Sequence, residues 1–327
     1  MIISRTPLRI SFFGGGTDFP DWYNQSRGKV ISTSIDKYSY VTARYLPPFF
    51  EFSYRLRYYI KEEVKKISSI KHSSIRETLK YLKFKEKLEI IHNADLPAQS
   101  GLGASSSFTV GLLNCLYNLS GKKVSKKKLY LNAIEIEQNK IREYVGSQDQ
   151  TTCANGGANI INFRKNKIIV SPISLNNNNL KKLENSVFLV FTGLTRKADL
   201  IEKEKLSNLK SNSKFYEELL RITDQAEKKL FSSSNIVEDF ADLMDEHWWL
   251  KKQLAKSVTN QEIEDIFKKG KKHGAYSGKL LGAGGGGFFM FLIDPNKKRH
   301  FTKVFKNYIV VPVKFENYGS KIIYHAR

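Results

Sequence analysis

The sequence predicts a mixed α/β (α+β) protein of two domains, on three observations. The chain is 327 residues long, roughly twice the usual domain size. Short apolar runs of strand type alternate with longer stretches of helical periodicity along its whole length. Glycine-rich turns punctuate them at 14–16, 101–103 and 282–287, where strands should turn tightly. Hydrophobic residues make up 41% and charged residues 26%, which is the balance of a folded globule and excludes wholesale disorder.

Each element follows in order. Residues 8–13 form an apolar run ending in three glycines, a strand entering a tight turn;. Residues 30–45 alternate well enough for one long strand or two short ones. Residues 73–82 predict a helix, and 88–92 a strand that ends in the loop 93–97. From Ser105, the spacing of Phe108, Leu112, Leu113, Leu116 and Leu119 follows a helix, stopped by Gly121;. Ser125 can cap a second helix, with Leu129, Ala133, Ile134, Ile141 and Tyr144 as its apolar positions and Gly146 as its end;. Residues 158–163 and 168–173 flank a polar tetrapeptide as a hairpin. The asparagine run 176–179 reads as an exposed turn. A new strand begins at Val187, and helices follow near 213–231, 235–257 and 260–274. The glycine run 282–287 leads directly into the strand 288–293, and a last helix (about 296–307) and two strands close the chain. The domain boundary is placed near 180, giving domains 1–180 and 181–327.

Lys+Arg 54 against Asp+Glu 32 gives a net charge of +22, which admits nucleic acid, an acidic membrane surface or an anionic small substrate as partner. The lysines are scattered rather than gathered into one arm, and neither zinc-finger spacing nor an aromatic-basic run is present. No nucleic-acid partner is expected, and the surface reads as solvated, with a few cations recruited to phosphates. No run approaches the ~18 apolar residues of a membrane helix, so no membrane partner is expected either. Arginines interrupt the first apolar residues, so no secretory signal is expected. Two cysteines, Cys115 and Cys153, cannot build a disulfide framework or a four-ligand zinc site. A reducing, cytoplasmic location is the expectation.

The segment Pro97-Ala98-Gln99-Ser100-Gly101-Leu102-Gly103-Ala104-Ser105-Ser106-Ser107 lies between a strand and an amphipathic helix. Glycines let backbone N–H groups turn toward a ligand, and a helix N-terminus adds its positive end. Three serines supply hydroxyls for phosphate oxygens or a magnesium ion. The bland alternative is a flexible loop with an ordinary serine cap; the proline lead, the serine triplet and the following helix favour polyphosphate binding. A Walker P-loop is excluded, because no glycine-lysine pair is followed by Ser or Thr;. The run 282–287 formally matches a dinucleotide fingerprint, but a strand follows it where that motif needs a helix. Close backbone approach to a ligand or to the neighbouring domain is the expected reason for those glycines. Taken singly, Glu137 reads as a solvated helix residue and Asp149 as a turn residue. A carboxylate plus a serine hydroxyl is nevertheless adequate ligation for magnesium, and a second carboxylate could take a proton from an attacking hydroxyl.

Taken together, these segments resemble the sugar-kinase branch of the GHMP kinases, the family of galactokinase, homoserine, mevalonate and phosphomevalonate kinases. Residues 6–18 resemble the N-terminal signature, 97–107 the nucleotide-phosphate loop and 281–287 the C-terminal glycine loop. Within the family the similarity is greatest to the kinases acting on D-glycero-D-manno-heptose 7-phosphate. It covers nearly the whole chain, including 28–32, 145–150, 191–196 and 247–249.

The resemblance implies a GHMP kinase fold, with an N-terminal domain of the ribosomal protein S5 domain 2 type and a ferredoxin-like C-terminal domain. It implies ATP and magnesium as cofactors and a small-molecule sugar phosphate as partner. The anomeric hydroxyl would be phosphorylated, in nucleotide-activated heptose synthesis for surface polysaccharide. Carried over by position, Pro97, Ser100, Gly101, Leu102, Gly103, Ala104, Ser105, Ser106 and Ser107 would bind ATP. Ser105 and Glu137 match the magnesium ligands, and Asp149 the catalytic aspartate. Arg9 stands near the reacting groups. Asp18, with Gly15, Gly16, Thr17, Thr195, Arg196, Gly284 and Gly285, would bind the sugar, Arg196 being the first candidate for its phosphate. Ala104 departs from the serine common after Gly-Leu-Gly, at the loss of at most one phosphate contact. The rival readings are another sugar 1-kinase, a catalytically silent protein of the same fold, and a nucleic-acid-binding module.

Overall fold

The computed structural model describes residues 1–174, 177–194 and 198–326. Its elements begin with β1 (Ile2–Phe13), α1 (Pro20–Tyr23), β2 (Gly28–Tyr45), β3 (Tyr54–Arg57), β4 (Lys61–Val64), α2 (Ser73–Tyr81) and β5 (Leu88–Ala94). Next come α3 (Ala104–Leu119), α4 (Lys126–Ile134), α5 (Gln148–Asn155), β6 (Ala158–Arg164) and β7 (Lys167–Pro172). The second half holds α6 (Asn178–Ser186), β8 (Val187–Phe191), α7 (Ala198–Ser207), α8 (Ser213–Ser232), α9 (Ile236–Gln253) and α10 (Gln261–Lys272). It closes with β9 (Ala275–Leu280), β10 (Phe288–Ile293), α11 (Lys298–Val304), β11 (Ile309–Val311) and β12 (Lys321–His325).

These strands form two sheets. The first runs β12-β1-β2-β5-β3-β4, with β6 pairing β2 and β7 pairing β6. The second is four-stranded, in the order β11-β8-β10-β9. β2 is one continuous strand, long enough to pair β1 along one edge and both β5 and β6 along the other. Helix α3 packs on β1 and β2 and buries twelve residues around its circumference. Such a helix is held by packing rather than by amphipathic display.

One apolar cluster spans both sheets, joining Leu8, Ile10 and Phe12 of β1 to Leu189, Met290 and Leu292 of β8 and β10 through helices α8 and α9. All six residues of β10 are buried. At roughly 1.5–3 kcal/mol per buried apolar side chain, this strand is a principal anchor of the second sheet. The boundary expected near 180 falls inside α6. The last strand, β12, does not join the second sheet but returns to pair with β1.

Two expectations are corrected. Asn177 is the cap of α6, its side chain accepting from the backbone N–H groups of Asn179 and Leu180; Asn178 and Asn179 are therefore helical rather than turn. Asp149 is not in a turn but in the first turn of α5.

Candidate active site

β1 carries Arg9 and ends at the turn around Gly14, where a side chain would collide with the carbonyl of Lys29. The chain then doubles back so that Asp18 faces the cleft, only 2% exposed. Asp18 is held by backbone donors. Oδ1 accepts from Gly16 N at 2.9 Å and Oδ2 from Gln148 N at 3.0 Å. Burial, then the nearby Asp149, push its pKa up to about 6.

The serine loop docks on this strand: Arg9 N donates to Leu102 O at 2.9 Å. On its other side it meets the glycine run. A Cβ on Gly287 would stand 2.5 Å from Ser100 O, and one on Gly282 2.6 Å from the Cα of Gly101. Gly282 and Gly287 are thus explained by backbone-to-backbone contact between two loops, one from each half of the chain, while Gly284 and Gly286 lie against the backbone of Val258 and Leu194. Gly103, at φ 74°, begins α3, and Ser105 stands exposed at that helix start beside the buried Ser106.

Arg9 and Asp149 form the centre. Nε donates to Oδ1 at 2.6 Å and Nη2 to Oδ2 at 2.7 Å, while Nη1 donates to Gly101 O at 2.7 Å. This is a bidentate ion pair, whose planar fork lysine cannot reproduce. Burial lowers the guanidinium's pKa, but Asp149's charge and hydrogen bonds more than offset it. Of the five guanidinium hydrogens, these bonds use three, so two remain on Arg9 among the described contacts.

Glu137 is not the solvated residue that its position alone suggests. The helix begun at α4 widens into a π-helical segment at 135–141, and such bulges often mark functional sites. Here Glu137 is fully buried. Its Oε2 accepts from Ser106 Oγ at 2.8 Å and Gln150 Nε2 at 2.5 Å, while Oε1 has no partner among the described residues. Burial, then Glu143, push its pKa up to about 7.

That shift makes a stability prediction. A carboxyl whose folded pKa exceeds its ordinary 4.5 holds its proton more tightly when folded, so stability is lost as pH rises from about 4.5 through 7. At ~1.36 kcal/mol per unit, charging Glu137 costs on the order of 3 kcal/mol by pH 8. Glu137→Gln should flatten this part of the ligand-free melting profile, gaining relative to wild type at pH 8 and not at pH 4.5. Parallel profiles for the two proteins would show that the carboxyl is not strained.

One cleft gathers most of the expected residues. Arg9, Gly15, Gly16, Asp18, Ser100, Gly101, Gly103, Ala104, Ser105, Ser106 and Asp149 all line it. Others lie elsewhere. Thr17 is fully buried, its one hydroxyl hydrogen shared between Gly14 O at 2.8 Å and Lys29 O at 3.0 Å, so it builds the turn rather than facing a sugar;. Ser107 Oγ donates to Thr6 O, and Leu102 is core. Pro97 is exposed outside the cleft. Gly284 and Gly285 turn toward Val258, the latter donating its N–H to Val258 O at 2.8 Å. Thr195 and Arg196 lie outside the described residues. Glu137 sits behind the cleft wall formed by Ser106 and Gln150.

Sequence reasoning missed His247, Glu202 and three buried lysines, Lys205, Lys251 and Lys279, all lining the same cleft. A lysine paired against the wholly apolar strand β10 was the available signal for Lys279. The cleft is also rich in unsatisfied groups. Ser11 Oγ, Ser100 Oγ, Gln148 Oε1, Gln150 Oε1 and Glu202 Oε2 are buried without partners among the described residues. Orphaned polar atoms cost free energy unless something completes them, and their concentration here points to a polar ligand.

Comparison with known proteins agrees. The model of the GHMP kinases N terminal domain matches residues 69–157, and that of the GHMP kinases C terminal matches 232–308. A D-glycero-alpha-D-manno-heptose 7-phosphate kinase of Campylobacter jejuni is 31% identical over 318 residues, 93% of this chain and 93% of that one. Among solved structures, a D-glycero-D-manno-heptose 1-phosphate kinase from Bacteroides thetaiotaomicron superposes with a TM-score of 0.81 over 100% of both chains, at 23% identity. The Lactococcus lactis galactokinase complexed with galactose gives 0.73 over 98% of this chain and 94% of that one, at 18% identity, a likeness of fold alone. The chain belongs to the GHMP kinases, phosphotransferases that use ATP. Within the family it stands with the sugar kinases. Among its described residues, no helix is long and apolar enough to cross a membrane.

Proposed function

We propose that this kinase transfers the γ-phosphoryl group of ATP to the anomeric hydroxyl of D-glycero-D-manno-heptose 7-phosphate. The observation that carries the reading is the Arg9–Asp149 pair, set between the serine loop and Asp18. The heptose 7-phosphate kinase relative supports the choice of sugar.

Phosphoryl transfer asks a protein mainly for positioning and charge neutralisation. The N–H groups of the serine loop and the start of α3 hold the β- and γ-phosphates. The two free hydrogens of Arg9 face the transferring oxygens. Asp18 accepts from sugar hydroxyls and fixes the ring. Asp149, whose oxygens already accept from Arg9, shares one with the anomeric O–H and takes its proton as the new O–P bond forms. The bond from the γ-phosphorus to the bridging oxygen breaks, and ADP leaves with that electron pair.

Glu137, whose Oε1 is unpartnered behind the wall of Ser106 and Gln150, and the cleft-facing Ser105 hydroxyl are the oxygen donors that would hold a magnesium ion. Bound there, magnesium would neutralise negative charge on the nucleotide phosphates.

An ATP-consumption assay across sugar phosphates and free sugars tests the proposal. Faster turnover of heptose 7-phosphate than of fucose, galactose or free heptose is expected, and a preference for any unphosphorylated sugar would overturn it. Gly146 offers a narrower test, because a side chain there would overlap Oδ2 of Asp18. Gly146→Val should raise KM for the sugar at least ~10-fold, as loss of a charged hydrogen bond does, with KM for ATP nearly unchanged. An unaltered sugar KM would remove Asp18 from the acceptor site.

A further inference from the structure

Three lysines of the second half line one side of the cleft, two of them bonded to the glycine loop and the third to the end of β1. Lys205 of α7 donates to Ala283 O at 2.5 Å and to Glu202 Oε1 at 3.2 Å. Lys251 of α9 donates to Leu280 O at 2.9 Å and Gly282 O at 2.6 Å. Lys279 of β9 donates to Phe12 O at 2.8 Å. They are 4%, 5% and 2% exposed, and all three line the cleft.

Buried ammonium groups are stable only when paired. Here the partners are mostly neutral carbonyls, and Glu202 is the only carboxylate bonded to any of the three among the described residues. The electrostatic cost shows in two of them. Burial, then Lys205 and Lys279, hold the pKa of Lys251 well below its usual value. Burial, then Arg9 and Lys205, bring that of Lys279 to about 7.

In the protonated form, which a bound anion favours, each lysine also keeps a donor in reserve, since an ammonium has three. Lys205 and Lys251 each use two. Lys279 uses one on Phe12, and its second neighbour cannot accept. His247 Nε2 accepts from Gly14 N at 3.1 Å, so the neutral ring carries its hydrogen on Nδ1, the atom 3.4 Å from Lys279 Nζ;.

We infer that Lys205, Lys251 and Lys279 form an anion subsite that holds the phosphate monoester already present on the sugar acceptor. This rests on the reading of the substrate as a sugar phosphate. A monoester dianion brings about two negative charges and three acceptor oxygens, which match the surplus charge and the reserve donors. The nucleotide's phosphates already have the serine loop and Arg9. Glu202 connects the cluster to the acceptor side, because it pairs with Lys205 and lies close enough to Asp18 to raise its pKa. Arg196 lies outside the described residues and is not needed for this subsite.

Two measurements test it, on the full chain and with Lys251→Met and Lys205→Met, each checked by its melting profile. In kinetics with heptose 7-phosphate, free heptose and ATP, both variants should raise KM for the phosphorylated sugar at least tenfold. KM for ATP and for free heptose should stay within about twofold. An unchanged preference for the phosphorylated sugar, or an equal rise in KM for ATP, would overturn the assignment, the latter returning the lysines to the nucleotide. The second measurement is calorimetric titration of inorganic phosphate into enzyme saturated with ADP and magnesium. Wild type should bind phosphate, and the variants at least tenfold more weakly. Absence of binding in wild type overturns the subsite even if neither variant folds. If free sugars prove the better substrates while phosphate binding still depends on the lysines, the substrate reading fails and the anion subsite stands.

Discussion

In the Asp149→Asn enzyme, kcat should fall by roughly 10²–10⁴-fold, the range associated with a lost general base, while KM for ATP stays near wild type. The carboxylate stands on the first turn of α5 and meets Arg9 through both oxygens. An asparagine keeps the shape and one acceptor but sets an NH2 group against a guanidinium N–H. The substitution thus removes the proton acceptor and one arm of the fork, while Arg9 keeps its bond to Gly101 O. The nucleotide loop should therefore be disturbed little. The check is steady-state kinetics at a temperature where the variant's melting profile shows it folded, since removing the charge opposite the buried Arg9 also costs stability;. Near-normal turnover would remove Asp149 from the chemistry.

Arg9→Met should cost activity and stability together. Its side chain is only 4% exposed, against 25% for Asp149. Removing one partner of a buried pair costs about 3–5 kcal/mol, less where the survivor can still reach water. About 2–3 kcal/mol is expected here, a fall of several degrees in Tm for a chain of this size. Turnover should drop by ~10³-fold or more, since transition-state charge loses its donor. Arg9→Lys separates charge from shape, because a point charge cannot serve Asp149 and the Gly101 carbonyl in one plane. Intermediate stability with activity still low is the expected pattern. Full turnover by the lysine variant would show that the fork geometry is dispensable.

How much of this was legible in the sequence depended on whether a signal was local. The strands at 8–13, 187–191 and 288–293 and the helix after the serine loop could be read because apolar periodicity and glycine stops lie within a few residues of each other. β3 and β4 could not, since four-residue strands such as Tyr54–Arg57 and Lys61–Val64 mix charge with apolar residues and depend on pairing partners for their identity. α7 was hidden for a similar reason: of its ten residues only Ile201 and Lys205 are buried. The serine loop, Arg9, Asp18 and Asp149 were found as motif positions, yet the bidentate pairing of two of them was not, because it joins residues 140 apart. Glu137 was misjudged in isolation. A helical wheel assumes 3.6 residues per turn, and the π-helical turn changes which side chain faces inward. The lysines escaped because lysine is so common here that three buried ones look like the rest.

The pairing of β12 with β1 sets a timetable for the molecule's birth. In the finished protein Ile2, Ile3, Ser4 and Arg5 are bonded along one side to residues 321–325. A ribosome adding roughly 5–20 residues per second needs about 15–60 s to make the intervening chain. For that time β1 is a bare sheet edge, carrying unpaired N–H and C=O groups beside apolar side chains, the arrangement most prone to recruit a foreign strand. The nascent chain must be kept apart from its neighbours until its last strand arrives. Slower translation should therefore lower soluble yield, even though the mature kinase is unchanged.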